Sequence, residues 1–428
     1  MASDRADLVV VGAGTVGGWA SYFARVQGAE RVVVIERGRA GVGASSRAAG
    51  IVRAQGGNPT TVALGRWSID FYRGQQARLG TDSGFRELGY MIFAQSADEV
   101  RVGKKRVAMQ RGAGIDVRWL DPHEGVQLNS WLAPESFMGA SYLATDGCID
   151  PPRNVLAYSL AMHQAGVELR EHTTFVGLRT EGTASGSKLV GIETSAGPIE
   201  TSRAILTGGP TLHEVGLAAG IEIPAGAVRH QVAVTEPHPA FEVERQAMGF
   251  DLGAGLYWRL EEGGLLFGMS NPHEPPGLAR EIDWPYMERM RSRLARYLPV
   301  TANLALRKAW AATIDYTPDH QPILGPALTA KGDQVSGLTI ASAGGHGMMW
   351  GPAVAKIAAD LALDGRTTVA DVHDLGLDRF DDEGRSRLPT DPIALPFPVA
   401  VAKEAVPSGS ARIPTDPSRT SGGGRKRT

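Results

Sequence analysis

Residues 7–36 read DLVVVGAGTVGGWASYFARVQGAERVVVIE. The apolar run Leu8–Val11 is short, β-branched and unbroken by polar residues, the pattern of a buried strand. It runs into Gly12-Ala13-Gly14-Thr15-Val16-Gly17, a GxGxxG loop. The next dozen residues, through Ala24 and Val26, predict a helix that stops by Gly28. A second β-branched run, Val32–Ile35, ends on Glu36, 24 residues after the first glycine.

Strand, glycine loop, helix, strand and acid together make a βαβ unit whose parts have mechanical roles. Gly12 permits a tight turn off the strand, Gly14 lets the backbone approach a pyrophosphate, and Gly17 lets helix and strand pack closely. The helix start, with Thr15 and Val16, offers N–H groups and a partial positive charge to phosphates. Glu36 can accept hydrogen bonds from both hydroxyls of an adenosine ribose, and its charge repels a 2′-phosphate. The reading is therefore FAD or NAD and not NADP.

The chain has 428 residues, 43% hydrophobic and 21% charged, with a formal net charge of −2. That length holds two or three domains of ordinary globular composition. The near-zero charge implies no general attraction to nucleic acid or anionic membrane, and no apolar run has transmembrane length. With the first strand beginning within ten residues of Met1, no signal peptide is expected. The single cysteine, Cys148, excludes an internal disulfide and a cysteine zinc cluster. The expectation is a cytoplasmic enzyme with no nucleic-acid or membrane partner.

After Glu36 and Arg37 comes a loop of small residues containing Ser45, Ser46, Arg47, Ala49 and Gly50, then Ile51-Val52-Arg53. Small residues suit a backbone that lies against a flat ligand, and the two serines can donate to phosphate or ribose oxygens. Arg53 follows two apolar residues that should anchor it inward. An amphipathic helix over 60–79, a hairpin over 85–96 and a charged helix over 97–114 follow. Later, Ala204–Thr207 predicts a buried strand ending on Gly208-Gly209, again suited to pyrophosphate approach. Residues 228–270 alternate as strands, so of Tyr257 and Trp258 only one faces a given side. Leu338–Ser342 opens into Ala343-Gly344-Gly345-His346-Gly347-Met348-Met349, read as an anion-binding helix start. Asp319-His320 between Pro318 and Pro322 reads as a turn, and the histidines are too scattered for a metal site. Residues 384–428, rich in Pro, Ser, Gly and Arg and ending GGGRKRT, predict a disordered tail.

Four stretches carry a family resemblance: GAGTVG with Glu36, SSRAAGIVR (45–53), WAATIDYTPDHQPILG (310–325) and GLTIASAGGHGMMWGP (337–352). In order and spacing, over about residues 5 to 370, the chain resembles the glycine/sarcosine oxidase branch of the D-amino-acid-oxidase-like flavoproteins. The resemblance implies an α/β fold: a Rossmann-like FAD-binding domain of glutathione-reductase type, interleaved with an α+β substrate domain on a largely antiparallel sheet. The boundaries expected are 1–84, 142–226 and 303–380 for the FAD-binding domain and 85–141 and 227–302 for the substrate domain. It also implies oxidation of a C–N bond of a secondary or N-methylated amine or amino acid, with hydride passing to the flavin and O2 or another acceptor reoxidising it.

By the same resemblance, Arg53 stands where relatives grip a substrate carboxylate, and Tyr257 falls roughly on a substrate-contacting tyrosine. His346 and the Gly347–Met349 backbone stand where the family covers the flavin N1/C2=O edge, and Val176 where the backbone touches the adenine. Ala312 and Arg47 replace the flavin-linked cysteine and histidine of some relatives, so FAD should be non-covalent. Ile314, Met349 and Leu266 replace cationic residues that hold the carboxylate or promote reaction with oxygen. With Met348, Trp350 and Trp258 nearby, the pocket should be more apolar than one built for sarcosine. Two other readings keep the fold. One is a 2-hydroxy-acid or alcohol dehydrogenase with His346 or His230 as base; the other is a flavoprotein subunit that works only with partner subunits.

Overall fold

A computed structural model describes residues 4–183, 186–243, 246–329, 331–393 and 395. The opening βαβ unit is formed by strand β1 (Leu8–Val11), helix α1 (Thr15–Val26) and strand β2 (Val32–Ile35). β1 lies parallel to β2 on one side, with Val10 opposite Val34, and parallel to Ala204–Leu206 on the other, with Val10 opposite Ile205. Every residue of both strands is buried because each faces two cores. Leu8, Val10, Val32 and Val34 pack under the helices, while Val9, Val11, Val33 and Ile35 pack against the opposite layer with Leu206 and Ile340. A strand covered on both faces needs no polar alternation, which is why both runs read as continuous apolar stretches.

α1 sits against the sheet through its glycines. A methyl at Gly17 would fall 1.9 Å from the Gly12 carbonyl oxygen, and one at Gly18 would fall 2.6 Å from the Tyr158 ring. Trp19 is fully buried and donates from Nε1 to Asn154 Oδ1 at 3.2 Å, tying α1 to the helix Pro151–Ala165.

Around β1 the nine-stranded sheet runs Phe175–Thr183, Gly186–Thr194, Gln334–Ser342, Ala204–Leu206, β1, β2 and Glu168–Arg170, with Ile199–Glu200 and Ile323–Leu328 as side branches. A second, eight-stranded sheet runs Leu306–Tyr316, Gly226–Thr235, Gly264–Met269, Leu256–Glu261, Met248–Asp251, Tyr90–Ala94, Gly139–Leu143 and Arg118–Leu120. All its pairings are antiparallel except Met248–Asp251 with Tyr90–Ala94. Both sheets are contributed by segments that alternate along the chain.

Three expectations need correction. Residues 85–96 are not a hairpin: Arg86–Glu87 pairs with Gly147–Cys148 in a three-stranded sheet, whereas Tyr90–Ala94 belongs to the eight-stranded one. The boundaries at 142 and 303 both cut across that larger sheet. Gly139–Leu143 is one of its strands, and Leu306–Tyr316 is its edge strand, pairing along Gly226–Thr235. The tail does not begin at 384: residues 384–393 and Leu395 are placed, with Asp391 and Ile393 buried. A few specific contacts outweigh the polar composition there. Ser386 Oγ donates to Asp319 Oδ2 at 2.6 Å, and the buried Arg379 guanidinium pairs with the same carboxylate at 2.7 Å. Residue 394 and residues 396–428 lie outside the described residues. No helix among the described residues is long and apolar enough to cross a membrane, and no cluster of metal-ligating side chains occurs among them.

Candidate active site

A cavity of about 760 Å³ runs from the glycine loop to the inner face of the eight-stranded sheet. Gly12, Gly14, Thr15, Val16 and Gly17 form its floor at one end. The loop is braced from behind: Thr15 N donates to Ser45 Oγ at 3.0 Å, and Asn154 Nδ2 donates to Thr15 Oγ1 at 3.2 Å. Glu36 is anchored across the loop mouth, accepting from Ala13 N at 3.0 Å and from Gly38 N at 2.8 Å. Its carboxylate is thus fixed at the end of β2, where the βαβ reading put a ribose.

The walls continue with Arg37, Ser45, Arg47, Ala49 and Gly50 on one side and Gly208 and Gly209 on the other. A methyl on Gly14 would touch only Ser45 Oγ, at 3.2 Å, and one on Gly209 or Gly347 would meet nothing within 4 Å. Backbone is bare toward the cavity at these points. Arg47 Nη1 is buried without a hydrogen-bond partner among the described residues, which marks it as a donor for a bound group. Bare backbone, a helix start, a fixed acid and an orphaned guanidinium nitrogen all fit an extended dinucleotide.

Three expected residues stand outside this lining. Val176 is 56% exposed, and the wall there is made by Thr173, Thr174 and Phe175. Ser46 sits in a turn behind Ser45, its N–H donated to Gly41 O at 3.1 Å. Gly344 turns the loop with φ +55°, and a methyl there would fall 2.9 Å from Gln321 O, so it faces protein and not the cavity. The helix after this loop begins at Gly351 and not beside His346. The intervening turn is closed by Met349 N and Trp350 N, which donate to His346 O at 3.0 and 2.8 Å.

At the other end the cavity meets Arg53, Tyr90, His230, Phe250, Tyr257 and Asp315. The strand Leu256–Glu261 turns Tyr257 into it and puts Trp258 on the far face, where Trp258 stacks on Phe93 at 5.5 Å. Trp258 therefore contributes nothing to the pocket. Trp350 and Leu266 are likewise buried away from the lining, whereas Met348, Met349, Ala312 and Ile314 are part of it. No lysine occurs among the described lining residues.

Burial controls the charge states here. His346 is pushed down to about 3 by burial, with repulsion from Arg53 second, so the imidazole is neutral. Its Nδ1 lies 3.0 Å from Gly344 O, which can only accept, so Nδ1 carries the proton and Nε2 is an acceptor. His346 is therefore no cation for a flavin edge. His230 is pushed down to about 4 by burial, and burial raises the Tyr257 phenol, so both stay neutral; His230 Nε2 and the Tyr257 hydroxyl are 2.6 Å apart. Burial raises the carboxyl of Asp315, opposed by a 2.8 Å hydrogen bond from Ser342 Oγ. Burial also lowers Arg53, opposed chiefly by Asp391. Its Nη1 donates to Gln55 O, and its Nη2 donates to Ile393 O at 3.0 Å.

Sequence reasoning did not single out Tyr90, Phe250, Asp315, Arg280 or the pair Ile393 and Leu395 as lining residues. Tyr90 and Phe250 alternate inward on strands, a signal visible only once the strands' facing sides are known. Ile393 and Leu395 are apolar residues in the polar tail, and that contrast was the available clue.

The family profile described as FAD dependent oxidoreductase matches residues 7–361. The beta subunit of sarcosine oxidase from Rhodobacter capsulatus is 28% identical over 75% of this chain and 77% of its own length. The formaldehyde-forming 4-methylaminobutanoate oxidase of Paenarthrobacter nicotinovorans is 26% identical over 89% of this chain, which spans only 46% of that protein. The crystal structure of L-proline dehydrogenase from P. horikoshii superposes with a TM-score of 0.81, covering 90% of this chain and 100% of that one at 24% identity, a likeness of fold. The glycine loop with Glu36 falls inside the matched stretch, and the cavity it floors has the shape and donors for the group that names the family: the chain belongs to the FAD dependent oxidoreductases.

Proposed function

We propose that this oxidoreductase oxidises a carbon–nitrogen bond of a secondary or N-methylated amine that carries a carboxylate. The observation that carries the reading is the buried Arg53 guanidinium at the cavity wall, in the same chamber as the neutral His230–Tyr257 pair. A fixed guanidinium offers a fork of donors to a carboxylate. The 2-hydroxy-acid alternative needs a group that takes a hydroxyl proton. The neutral imidazoles of His230 and His346 are the candidates, and the titration below separates the two readings. Relatives named for sarcosine and for 4-methylaminobutanoate support including N-methylated amino acids in that class.

When bound, FAD supplies the two-electron acceptor. The chain would hold it through Gly12–Gly17, Glu36, Ser45 and Arg47. The binding would be non-covalent, since Ala312 and Arg47 stand where some relatives carry flavin-linked residues and no cysteine is among the described lining residues. The residues of the substrate chamber bind and orient: Arg53 fixes the acid end, and Tyr90, Phe250 and Tyr257 wall the carbon chain. The amine enters deprotonated, because burial leaves the imidazoles of His230 and His346 too weakly basic to take its proton near neutral pH. O2 or another electron acceptor then reoxidises the flavin.

The test is anaerobic titration of the flavin-loaded protein with N-methyl amino acids, cyclic amino acids, simple amines and 2-hydroxy acids, following the flavin absorbance. Bleaching by an N-methyl or cyclic amino acid, lost in Arg53→Ala, is the expected result. Bleaching only by hydroxy acids would replace the amine reading.

A further inference from the structure

The segment after residue 384 returns to the substrate end of the cavity along the TPDHQP turn. Gln321 Nε2 donates to Pro389 O at 3.0 Å, and Asp391 N donates to Asp319 O at 3.0 Å. The chain then turns on itself, with Ile393 N donating to Asp391 Oδ1 at 2.8 Å. This turn brings Ile393, fully buried, and Leu395 into the cavity lining, packed against the cluster that contains Tyr90, Phe250 and Tyr257.

Two features show that the seat is built for the segment. The first is Gly57: a methyl there would fall 2.1 Å from Asp391 Oδ1 and 2.6 Å from Pro392 Cδ, so the segment lies where any larger residue would stand. The second is Arg53. Its Nη2 donates to Ile393 O at 3.0 Å, and its Nη1 donates to Gln55 O. Carbonyls on both η nitrogens fix the guanidinium plane, and among the described residues three of its five N–H donors remain for another partner. Arg53 is thus aimed partly by a residue 340 positions away.

We propose that the C-terminal residues Asp391–Ile393, together with Leu395, are a working part of the substrate pocket. The Ile393 carbonyl positions Arg53, and the Ile393 and Leu395 side chains set how long a substrate carbon chain the pocket takes. This rests on the reading of Arg53 as the carboxylate partner.

The experiment uses the FAD-loaded full chain and non-oxidisable probes: propionate, propionamide and hexanoate, with binding read as a perturbation of the flavin spectrum. Hydrogen exchange at residues 389–393 reports whether the segment is seated. The parent should prefer propionate to propionamide at least tenfold. Gly57→Ala and Asp391→Ala should each raise exchange at 391 and 393 and cut that preference at least fivefold, with flavin content unchanged. Ile393→Ala, which keeps the carbonyl, should retain the preference and improve hexanoate relative to propionate about tenfold. Rescue by Ile393→Val, with the parent's size limit, separates shape from folding. Release of the segment with the carboxylate preference undiminished would overturn the proposal. So would a segment that stays protected in both variants, or an unchanged size preference in Ile393→Ala. A parent that shows no carboxylate preference would instead sink the Arg53 reading itself.

Discussion

The Tyr257 hydroxyl lies 2.6 Å from His230 Nε2, with the two rings stacked 20° from parallel and their centroids 5.6 Å apart. Neither group titrates in the neutral range, since burial pushes His230 down to about 4 and raises Tyr257. The pair therefore orients and does not switch. In the proposed reaction the limb of the kcat/KM profile between pH 6 and 10 should belong to the substrate's own amine. Two amine substrates of different basicity should give two different midpoints, and one midpoint near 6.5 shared by both would point to an enzyme base. Tyr257→Phe keeps the ring stack and removes the hydroxyl; kcat/KM should fall roughly 10- to 100-fold, about 1.4–2.8 kcal/mol.

Arg53→Lys should damage binding more than its retained charge suggests. Lysine offers one compact ammonium in place of a planar fork and cannot hold both Gln55 O and Ile393 O while receiving a carboxylate. For an amino-acid substrate kcat/KM should fall roughly 100- to 1000-fold, about 3–4 kcal/mol. The matching amide of the same substrate should lose less than tenfold. Steady-state kinetics on the acid and amide pair checks it, and equal losses for both would remove Arg53 from carboxylate binding.

How far the residues alone disclosed this site depended on how local each signal was. The βαβ unit is contiguous, and its glycines are constrained by neighbours a few residues away, so Gly12 to Glu36 could be read directly. Tyr257 and Trp258 could be separated by strand alternation. Membership of the edge strand Leu306–Tyr316 in the eight-stranded sheet could not, because it is set by pairing with Gly226–Thr235, some eighty residues earlier. Ile393 is the extreme case. Its place depends on Gly57, Asp319 and Gln321, none of which marks position 393 as special on its own. The charge state of His346 was equally hidden, since a glycine loop suggests an exposed ring and only the packed structure buries it.

Two glycines of the same loop should fail in different ways. A methyl at Gly17 lies 1.9 Å from Gly12 O and 3.2 Å from Thr207 Oγ1, both protein atoms packed beneath the helix. Gly17→Ala should therefore disturb the fold itself, lowering Tm in the flavin-free protein by the equivalent of roughly 2–4 kcal/mol. A methyl at Gly14 meets only Ser45 Oγ, at 3.2 Å, with the cavity beyond. Gly14→Ala should leave the flavin-free Tm within a few degrees and weaken FAD retention at least tenfold. Calorimetry of the apoprotein together with flavin titration distinguishes the two. A Gly14→Ala protein that keeps its FAD would place the cofactor away from this loop.

Asp146 offers a pH test of the frame that holds Arg53. It is fully buried, its Oδ1 accepting from Ala54 N at 2.7 Å and its Oδ2 from Gln55 Nε2 at 2.9 Å. Burial outweighs those bonds and raises the carboxyl to about 7. A folded-state value above the unfolded one means the folded protein holds a proton that the unfolded chain has released. The stabilisation is full below about pH 4 and lost as pH rises through 7, about 4 kcal/mol in all. His230 and His346 act with the opposite sign, because their folded values lie below the unfolded 6.5, so stability is lost as pH falls from 6.5 through about 4 and about 3. The parent curve thus mixes opposing contributions below pH 6.5, and a variant is needed to separate them. Asp146→Asn cannot titrate, and it turns an amide donor toward either Gln55 Nε2 or Ala54 N at a cost of about 1–3 kcal/mol. The Tm gap between parent and Asp146→Asn should be widest at about pH 4 and below, where the folded and unfolded parent both hold the proton. It should narrow by pH 8.5, where the parent carries a buried carboxylate. A gap that widens with pH would mean that Asp146 is ionised throughout and pairs with Arg53, which would change what Arg53 has left to offer a substrate.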